Sequence, residues 1–144
     1  MHWSRRLKPV PSLKYEVDGT EFDWFAMDSS GSIALFATAG AGFVPPLVLS
    51  HAGEHGAISE SLASTHWGSD KVWDDYAGLG LWVYDWKLHD GPYCRIRKPA
   101  CEMTDALRRR LLEISSLPRF KGRFENSETI ISMSGPDKPL DTKL

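Results

Sequence analysis

The clearest pattern in the chain is a pair of apolar runs separated by a short polar turn. The first run ends at Asp28, the second begins at Ser32, and residues 29–31 read Ser-Ser-Gly. Serines and a glycine that can adopt a left-handed conformation are typical of a short hairpin loop. Pairing Asp28 with Ser32 places Trp24 opposite Phe36. Because both faces of this hairpin are apolar, the pattern predicts a position inside a sheet, with helices covering at least one face.

A second hairpin is predicted where two further apolar runs flank the dipeptide Asp90-Gly91. Asp-Gly between strand-like runs is a strong signal for a tight turn. With these two residues as the loop, Trp86 lies opposite Arg95 and Tyr84 lies opposite Arg97. This register predicts guanidinium groups stacked over aromatic rings on one face of the sheet.

Three helices are predicted between and after the hairpins. They span Pro45 to Thr65, Asp70 to Ala77 and Thr104 to Ser116. Proline is tolerated in a first helical turn, and threonine is a good N-cap. Glycine inside a helix costs roughly 1 kcal/mol relative to alanine, so the first helix is expected to break near Gly53.

Together these elements predict a single α+β domain over residues 1–144. Its sheet is expected to be mainly antiparallel, with about 4–6 strands built on the two hairpins, and about three helices are expected mainly on one face. A short edge strand is predicted at residues 13–17, and a last strand with a basic outer face at residues 119–124. Residues 135–144, with two prolines and four charges, are expected to form a frayed tail.

Composition narrows the classes of partner. The chain has 17 basic and 19 acidic residues, a formal charge of -2, which argues against nucleic acid as a partner. No run approaches the roughly 18 apolar residues of a membrane helix, and the N-terminus does not resemble a signal peptide. We therefore expect a cytoplasmic protein in which Cys94 and Cys101 stay reduced.

The segment His51-Ala52-Gly53-Glu54-His55 has the H-x-x-E-H form of inverted zinc peptidases. In that motif two histidines one helical turn apart bind zinc, and the glutamate activates water. A third ligand would have to come from Glu125 or Glu128, and the glycine interrupts the helix that should hold the ligands. We predict no metal and no cofactor, and we keep a zinc-dependent hydrolase as the competing interpretation.

Aromatic and acidic residues concentrate in the middle of the chain. Tryptophan and tyrosine dominate the energetics of protein interfaces, and neighbouring carboxylates favour a basic partner. The alternative is that the aromatic rings fill the core around the second hairpin. The residues predicted to contact a partner are Trp73, Asp74, Asp75, Tyr76, Asp85 and Asp90.

Several of these segments resemble a family of small bacterial proteins, some of which are similar to the immunity proteins that accompany polymorphic toxins. The resemblance rests on residues 22–28, Gly31 and Phe36, on the transition at residues 40–45, and on residues 80–86. Tyr93, Arg95 and Pro99 extend it. It covers about two thirds of the chain and implies a shared fold more than a shared activity.

We therefore expect a non-enzymatic protein-binding module, of the immunity type that binds and neutralises a bacterial toxin. A basic toxin domain is the expected partner. The alternatives are the zinc-dependent hydrolase and a structural or regulatory homodimer that associates through the aromatic second hairpin.

Overall fold

The computed structural model describes residues 22–62, 66 and 69–135, which form five strands, four α-helices and a short 3-10 helix. The strands are β1 (Asp23–Met27), β2 (Ile33–Ala37), β3 (Trp82–Asp85), β4 (Tyr93–Arg97) and β5 (Thr129–Ile130). The helices are α1 (Pro46–Leu49), α2 (Ala52–Ser61), α3 (Lys71–Gly78) and α4 (Asp105–Leu112), and the 3-10 helix spans Phe124–Asn126.

The five strands form one sheet in chain order, from β1 at one edge to β5 at the other. All neighbouring pairs are antiparallel except β2 and β3, which run parallel. The connection between these two strands contains α1, α2 and α3. The predicted α+β class, with a mainly antiparallel sheet built on two hairpins, is confirmed.

The first hairpin has the predicted register, with Asp28 donating its N–H to the Ser32 carbonyl at 2.9 Å. The Asp28 side chain fixes the turn because Oδ1 accepts hydrogen bonds from the backbone N–H groups of Ser30 and Ser32. Trp24 and Phe36 stack with ring centroids 4.3 Å apart. The turn and the cross-strand pair therefore specify the same alignment.

Apolar side chains cover both faces of the sheet. On one face α2, α3 and α4 contribute buried residues to a shared core, as the prediction of helices mainly on one face requires. On the other face the covering comes from α1 and from the chain beyond α4, represented by Val48, Phe120 and Phe124. Alternating side chains along β1 and β2 serve the two cores in turn, which explains why both strands are fully buried.

The helix predicted from Pro45 to Thr65 is two helices in the described residues, α1 and α2. The break falls at Ser50 and His51 rather than near Gly53, which lies inside α2. The Ser50 hydroxyl donates to the Leu47 carbonyl at 3.0 Å, a local bond that competes with continuation of the helix.

The other two helices lie close to their predicted bounds. The hydroxyl of Thr104 accepts the Leu107 N–H at 3.2 Å, the N-cap bond expected at the start of α4. This helix ends at Leu112 rather than Ser116, although Ile114 remains buried as the apolar spacing predicts.

The predicted register of the second hairpin is wrong. Arg95 pairs with Tyr84 rather than with Trp86. The ladder is irregular next to Tyr84. Strand β3 ends at Asp85, and the connection to β4 is much longer than a two-residue turn. Arg95 instead lies over the Trp82 ring, 5.6 Å from its centroid.

The strand predicted at residues 119–124 is also wrong. Arg119 forms only an isolated bridge with Met27, and residues 124–126 are a 3-10 helix. The last strand of the described chain is β5, which pairs with β4. The predicted strand at residues 13–17 and almost all of the predicted tail lie outside the described residues.

Candidate functional site

The histidines of the H-x-x-E-H segment lie in different environments. His51 precedes the first residue of α2 and is exposed, whereas His55 lies inside α2 and is 0% exposed. Glu54 is exposed and accepts hydrogen bonds from the backbone N–H and the hydroxyl of Ser115. The three side chains therefore have separate local partners.

Both ring nitrogens of His55 are engaged inside the fold. Nδ1 accepts the Phe25 N–H of the edge strand β1 at 3.1 Å, and Nε2 lies 3.3 Å from the Ser116 hydroxyl oxygen. Because Nδ1 accepts, the proton of the neutral ring belongs on Nε2, which then donates to Ser116. Burial lowers the pKa of His55 to about 4, so the ring is neutral at pH 7.

This tautomer does not suit nucleophilic catalysis by Ser116. A histidine base must present an unprotonated Nε2 to the hydroxyl and a protonated Nδ1 to a third group. His55 has the opposite arrangement, and both His55 and Ser116 are 0% exposed. We infer that His55 and Ser116 connect β1 to α2 and to the chain after α4 through hydrogen bonds.

The carboxylates proposed as a third zinc ligand have partners of their own. Arg123 donates to Glu125 at 3.0 Å, and the Arg95 guanidinium lies 3.9 Å from Glu128. Within residues 22–62, 66 and 69–135, no group of three or more histidine, cysteine, aspartate or glutamate side chains is arranged to hold a metal ion. The geometry of His55 favours a structural role for the segment.

The predicted partner residues Trp73 and Tyr76 need correction. Trp73 is 4% exposed and Tyr76 is 0% exposed, and both belong to the core between α3 and the sheet. Their spacing with Val72 and Ala77 forms one helical stripe that faces inward. They cannot contact a partner unless α3 separates from the sheet.

The predicted carboxylates do not form one surface. Asp74 accepts from Arg97 at 2.7 Å, near the end of β4, and Asp75 lies 2.9 Å from the His66 ring. Asp90 lies three residues before β4, on the side of its first residue, whereas Arg97 is its last residue. The two ends of this strand are about 13 Å apart by the usual rise of a strand. The acidic residues therefore divide between α3 and the opposite end of the sheet.

That opposite end is where the parallel strands β2 and β3 finish, and we call it the carboxyl edge. Two connections emerge there side by side, residues 38–45 after β2 and residues 86–92 after β3. The carboxyl ends of parallel strands are a recurrent position for binding sites because adjacent loops converge above them.

The Tyr93 hydroxyl holds the first connection in place. It donates to the Phe43 carbonyl at 2.8 Å and accepts the Trp24 indole N–H at 3.1 Å. Burial raises the pKa of Tyr93 well above its ordinary value, and the carboxylates of Asp23 and Asp85 add to the rise. The hydroxyl is thus a fixed bridge that keeps its proton.

Two glycines allow the close packing at the carboxyl edge. A Cβ on Gly42 would lie 2.6 Å from the Tyr93 hydroxyl oxygen, and a Cβ on Gly91 would overlap the Trp86 ring. The Trp86 indole N–H also donates to the His89 carbonyl at 2.9 Å. The ring therefore sits on the backbone of its own connection and fixes its shape.

The two connections and α1 carry a set of exposed and half-buried apolar side chains at this end of the sheet. We call it the apolar edge surface, and its members are Phe43, Val44, Leu47, Trp86 and Leu88. Leu47 is 49% exposed, Leu88 is 67% exposed, and the other three are half-buried. The Phe43 and Trp86 rings meet edge to face with centroids 6.2 Å apart. One feature of the sequence indicates the apolar edge surface, because residues 38–50 contain no charged side chain.

Two carboxylates flank the middle of the carboxyl edge. Asp23, Ala37 and Asp85 occupy one row across β1, β2 and β3, so they share the helix-covered face, with the two aspartates about 10 Å apart. Asp23 is buried and accepts the Ser59 hydroxyl at 2.9 Å. Asp85 is half-buried as a residue.

The glycine-rich turn after β2 is not arranged as a phosphate-binding loop. The N–H groups of Gly40, Ala41 and Gly42 all bond to Thr38, through its hydroxyl or its carbonyl oxygen. A phosphate loop needs such N–H groups aimed at the ligand. The turn instead reverses the chain and leads it into α1.

No helix formed by the described residues has both the length and the apolar character needed to cross a bilayer. Comparisons of the chain with protein-family models, curated proteins and solved structures found no significant match. The function proposed below is therefore inferred from the geometry of the carboxyl edge.

Proposed function

We propose that this chain is a non-enzymatic protein-binding module of the immunity type, which acts in the cytoplasm and neutralises a bacterial toxin by covering part of its surface. The observation that supports the proposal is the apolar edge surface, where exposed leucines and half-buried aromatic rings are held on a fixed scaffold. Catalysis is not part of the proposal, because the buried His55 and Ser116 serve the fold.

The physical reason lies in how interfaces gain affinity. A few large apolar side chains near the centre supply most of the binding free energy when a partner excludes water from them. Ordering flexible groups opposes association, at about 0.5–1.5 kcal/mol for each immobilised side chain. The hydrogen bonds of Tyr93 and Trp86 fix the two connections before a partner arrives, which lowers that cost.

The charge at this end of the molecule favours a partner that combines apolar and basic groups. Asp90 is exposed beside Leu88, and Asp85 lies half-buried at the end of β3. The stretch from residue 38 to residue 50 adds no charge. A toxin segment with an aliphatic residue next to a lysine or arginine fits this combination.

The experiment uses the product of the neighbouring open reading frame, expressed alone and together with this chain. We expect toxicity alone, rescue on co-expression, and a stable complex of the two purified proteins by calorimetry. Leu88→Asp should abolish rescue and weaken binding by at least about a hundredfold, since a buried interface core tolerates an unpaired charge poorly. Leu112→Asp is the matched control, because Leu112 is similarly exposed on α4.

Two outcomes would contradict the proposal. One is a neighbouring gene product that is toxic but shows neither rescue nor binding. The other is a complex that Leu88→Asp and Leu112→Asp affect equally, because the contact would then not involve the apolar edge surface.

A further inference from the structure

We propose that a second copy of this chain covers the apolar edge surface when no other partner is bound, through a two-fold contact centred on Leu88. The contact concerns the purified protein alone and does not depend on the identity of a toxin. A bound toxin would compete with it, because both would use the same side chains.

Charged side chains of opposite sign lie on either side of Leu88 in the sequence. Lys87 precedes it and Asp90 follows two residues later, and both side chains are exposed. Neither forms an ion pair anywhere in the described part of the chain. An exposed leucine, 67% accessible, thus lies between one unpaired cation and one unpaired anion.

This arrangement is self-complementary. In a two-fold contact, if one residue of the first copy contacts a second residue of the other copy, the same pair also forms with the copies exchanged. A two-fold axis near Leu88 therefore places Lys87 against Asp90 of the second copy, and Asp90 against its Lys87. The leucines pack at the centre, and both charge pairs are opposite in sign. Two like charges in this connection would instead repel across the axis.

The connection is also rigid enough to act as an interface. Gly91 donates its N–H to the Leu88 carbonyl at 2.8 Å, which closes a turn around residues 88–91. The Trp86 indole N–H donates to the His89 carbonyl of the same turn. Leu88 is therefore presented outward on a closed loop, and little conformational entropy remains to be lost on association.

The chemistry of the second copy agrees with that proposed for a toxin. The dipeptide Lys87-Leu88 is itself an aliphatic residue next to a cation. The second copy therefore offers the apolar edge surface the same pair of groups that a basic partner would offer. The free protein would protect its apolar side chains in this way until a tighter partner displaces the copy.

The test is the mass of the purified protein by light scattering, over concentrations from about 1 µM to about 1 mM, the range in which modest interfaces associate. We expect the mass to rise with concentration towards twice that of the monomer. Leu88→Asp should remain monomeric throughout, whereas Leu112→Asp should dimerise like the unaltered chain.

Exchange of the charges tests the two-fold geometry. Lys87→Asp should weaken the dimer by about tenfold, because two attractive pairs become two repulsive ones. The double variant Lys87→Asp/Asp90→Lys restores opposite signs across the axis and should restore dimerisation. A contact that does not place Lys87 against Asp90 of the second copy would not respond in this compensating way.

A monomeric mass at every concentration would overturn the proposal. So would a dimer that Leu88→Asp leaves intact, or a double variant that associates no better than Lys87→Asp alone. None of these results involves a toxin, so failure of the dimer and failure of the proposed function can be told apart.

Discussion

Two fully buried polar side chains, His55 and Tyr93, connect distant parts of the chain in different regions of the molecule. His55 accepts from the Phe25 N–H in β1 and contacts Ser116 beyond α4. Tyr93 accepts from the Trp24 indole and donates to the Phe43 carbonyl in the connection after β2. Each side chain connects two segments that are not joined there by backbone hydrogen bonds of the sheet.

His55 and Tyr93 stabilise different parts of the molecule. His55 lies where an edge strand, a helix and a returning chain meet, so its loss would weaken the fold as a whole. Tyr93 lies beneath a surface connection, so its loss would mainly loosen the apolar edge surface. The comparison separates buried polar groups that maintain the fold from those that shape a binding surface, and mutations can test this distinction.

The largest expected effect comes from removing the His55 ring. His55→Ala leaves a cavity and deprives the Phe25 N–H of its acceptor inside the fold. Large-to-small core substitutions cost about 2–5 kcal/mol, and an unsatisfied buried donor adds about 1–3 kcal/mol. We expect the free energy of unfolding, measured by urea denaturation at pH 7, to fall by at least about 3 kcal/mol.

The exposed histidine of the same segment supplies the control. His51→Ala removes a side chain whose ring nitrogen, among the residues that the structure describes, contacts the neighbouring Ser50 hydroxyl and the Leu47 carbonyl. We expect a change within about 0.5 kcal/mol, as is usual for surface positions. Equal losses in the two variants would show that His55 is not the bridge inferred from its contacts.

The next effect is a loss of stability in acid. The pKa of His55 is lowered by burial from 6.5 to about 4 in the folded chain. Above pH 6.5 the ring is neutral in both states and the full stability is present. Below that pH the unfolded chain binds a proton that the folded chain excludes, so stability falls as the pH drops towards and through 4. The contribution of this group amounts to about 3 kcal/mol.

Nuclear magnetic resonance can check the cause directly. The ring C–H signal of His55 should show no titration between pH 7.5 and 5.5. Urea denaturation over the same range should show the free energy of unfolding declining as the pH falls. A His55 signal with its midpoint near 6.5 would contradict a desolvated, neutral ring.

A smaller and more local effect is expected at Tyr93. Tyr93→Phe keeps the ring but leaves the Phe43 carbonyl and the Trp24 indole N–H without this partner, at a cost of about 1–3 kcal/mol. The loss should be concentrated in residues 40–47, where amide hydrogen exchange should accelerate. Binding at the apolar edge surface should weaken as its preorganisation is lost.

Tyr84→Phe is the matched comparison. Tyr84 is also fully buried, and its hydroxyl donates to the Ser127 and Phe124 carbonyls in the chain beyond α4. This variant should lose a similar amount of stability while exchange in residues 40–47 stays unchanged. Faster exchange there in both variants would mean that Tyr93 has no special role in the connection.

The first hairpin and the second differ in how far the sequence determines them. In the first, the Asp28 side chain fixes the turn, and stacked aromatic rings favour the same register. In the second, Trp86 packs on Gly91 and enlarges the turn, a tertiary contact that a two-residue loop model does not include. Local turn chemistry therefore predicted one register and could not predict the other.

The candidate site shows the same division. The helical spacing of Trp73 and Tyr76 indicates the buried stripe of α3, whereas amino-acid composition alone indicates an interface. The apolar edge surface was harder to foresee. It depends on two connections being brought together by the parallel pairing of β2 and β3, which neither hairpin pattern predicts.

The smallest effect on stability, and the sharpest test of the comparison, is expected for Leu88→Asp. The side chain is 67% exposed, so its replacement removes little buried area, and the free energy of unfolding should change by less than about 0.5 kcal/mol. Denaturation curves for Leu88→Asp, Leu112→Asp and the unaltered chain should therefore nearly coincide, while only Leu88→Asp loses association. A large loss of stability would mean that Leu88 supports the fold. Its effect on association would then be indirect, and the carboxyl edge would belong with His55 among the regions that maintain the structure.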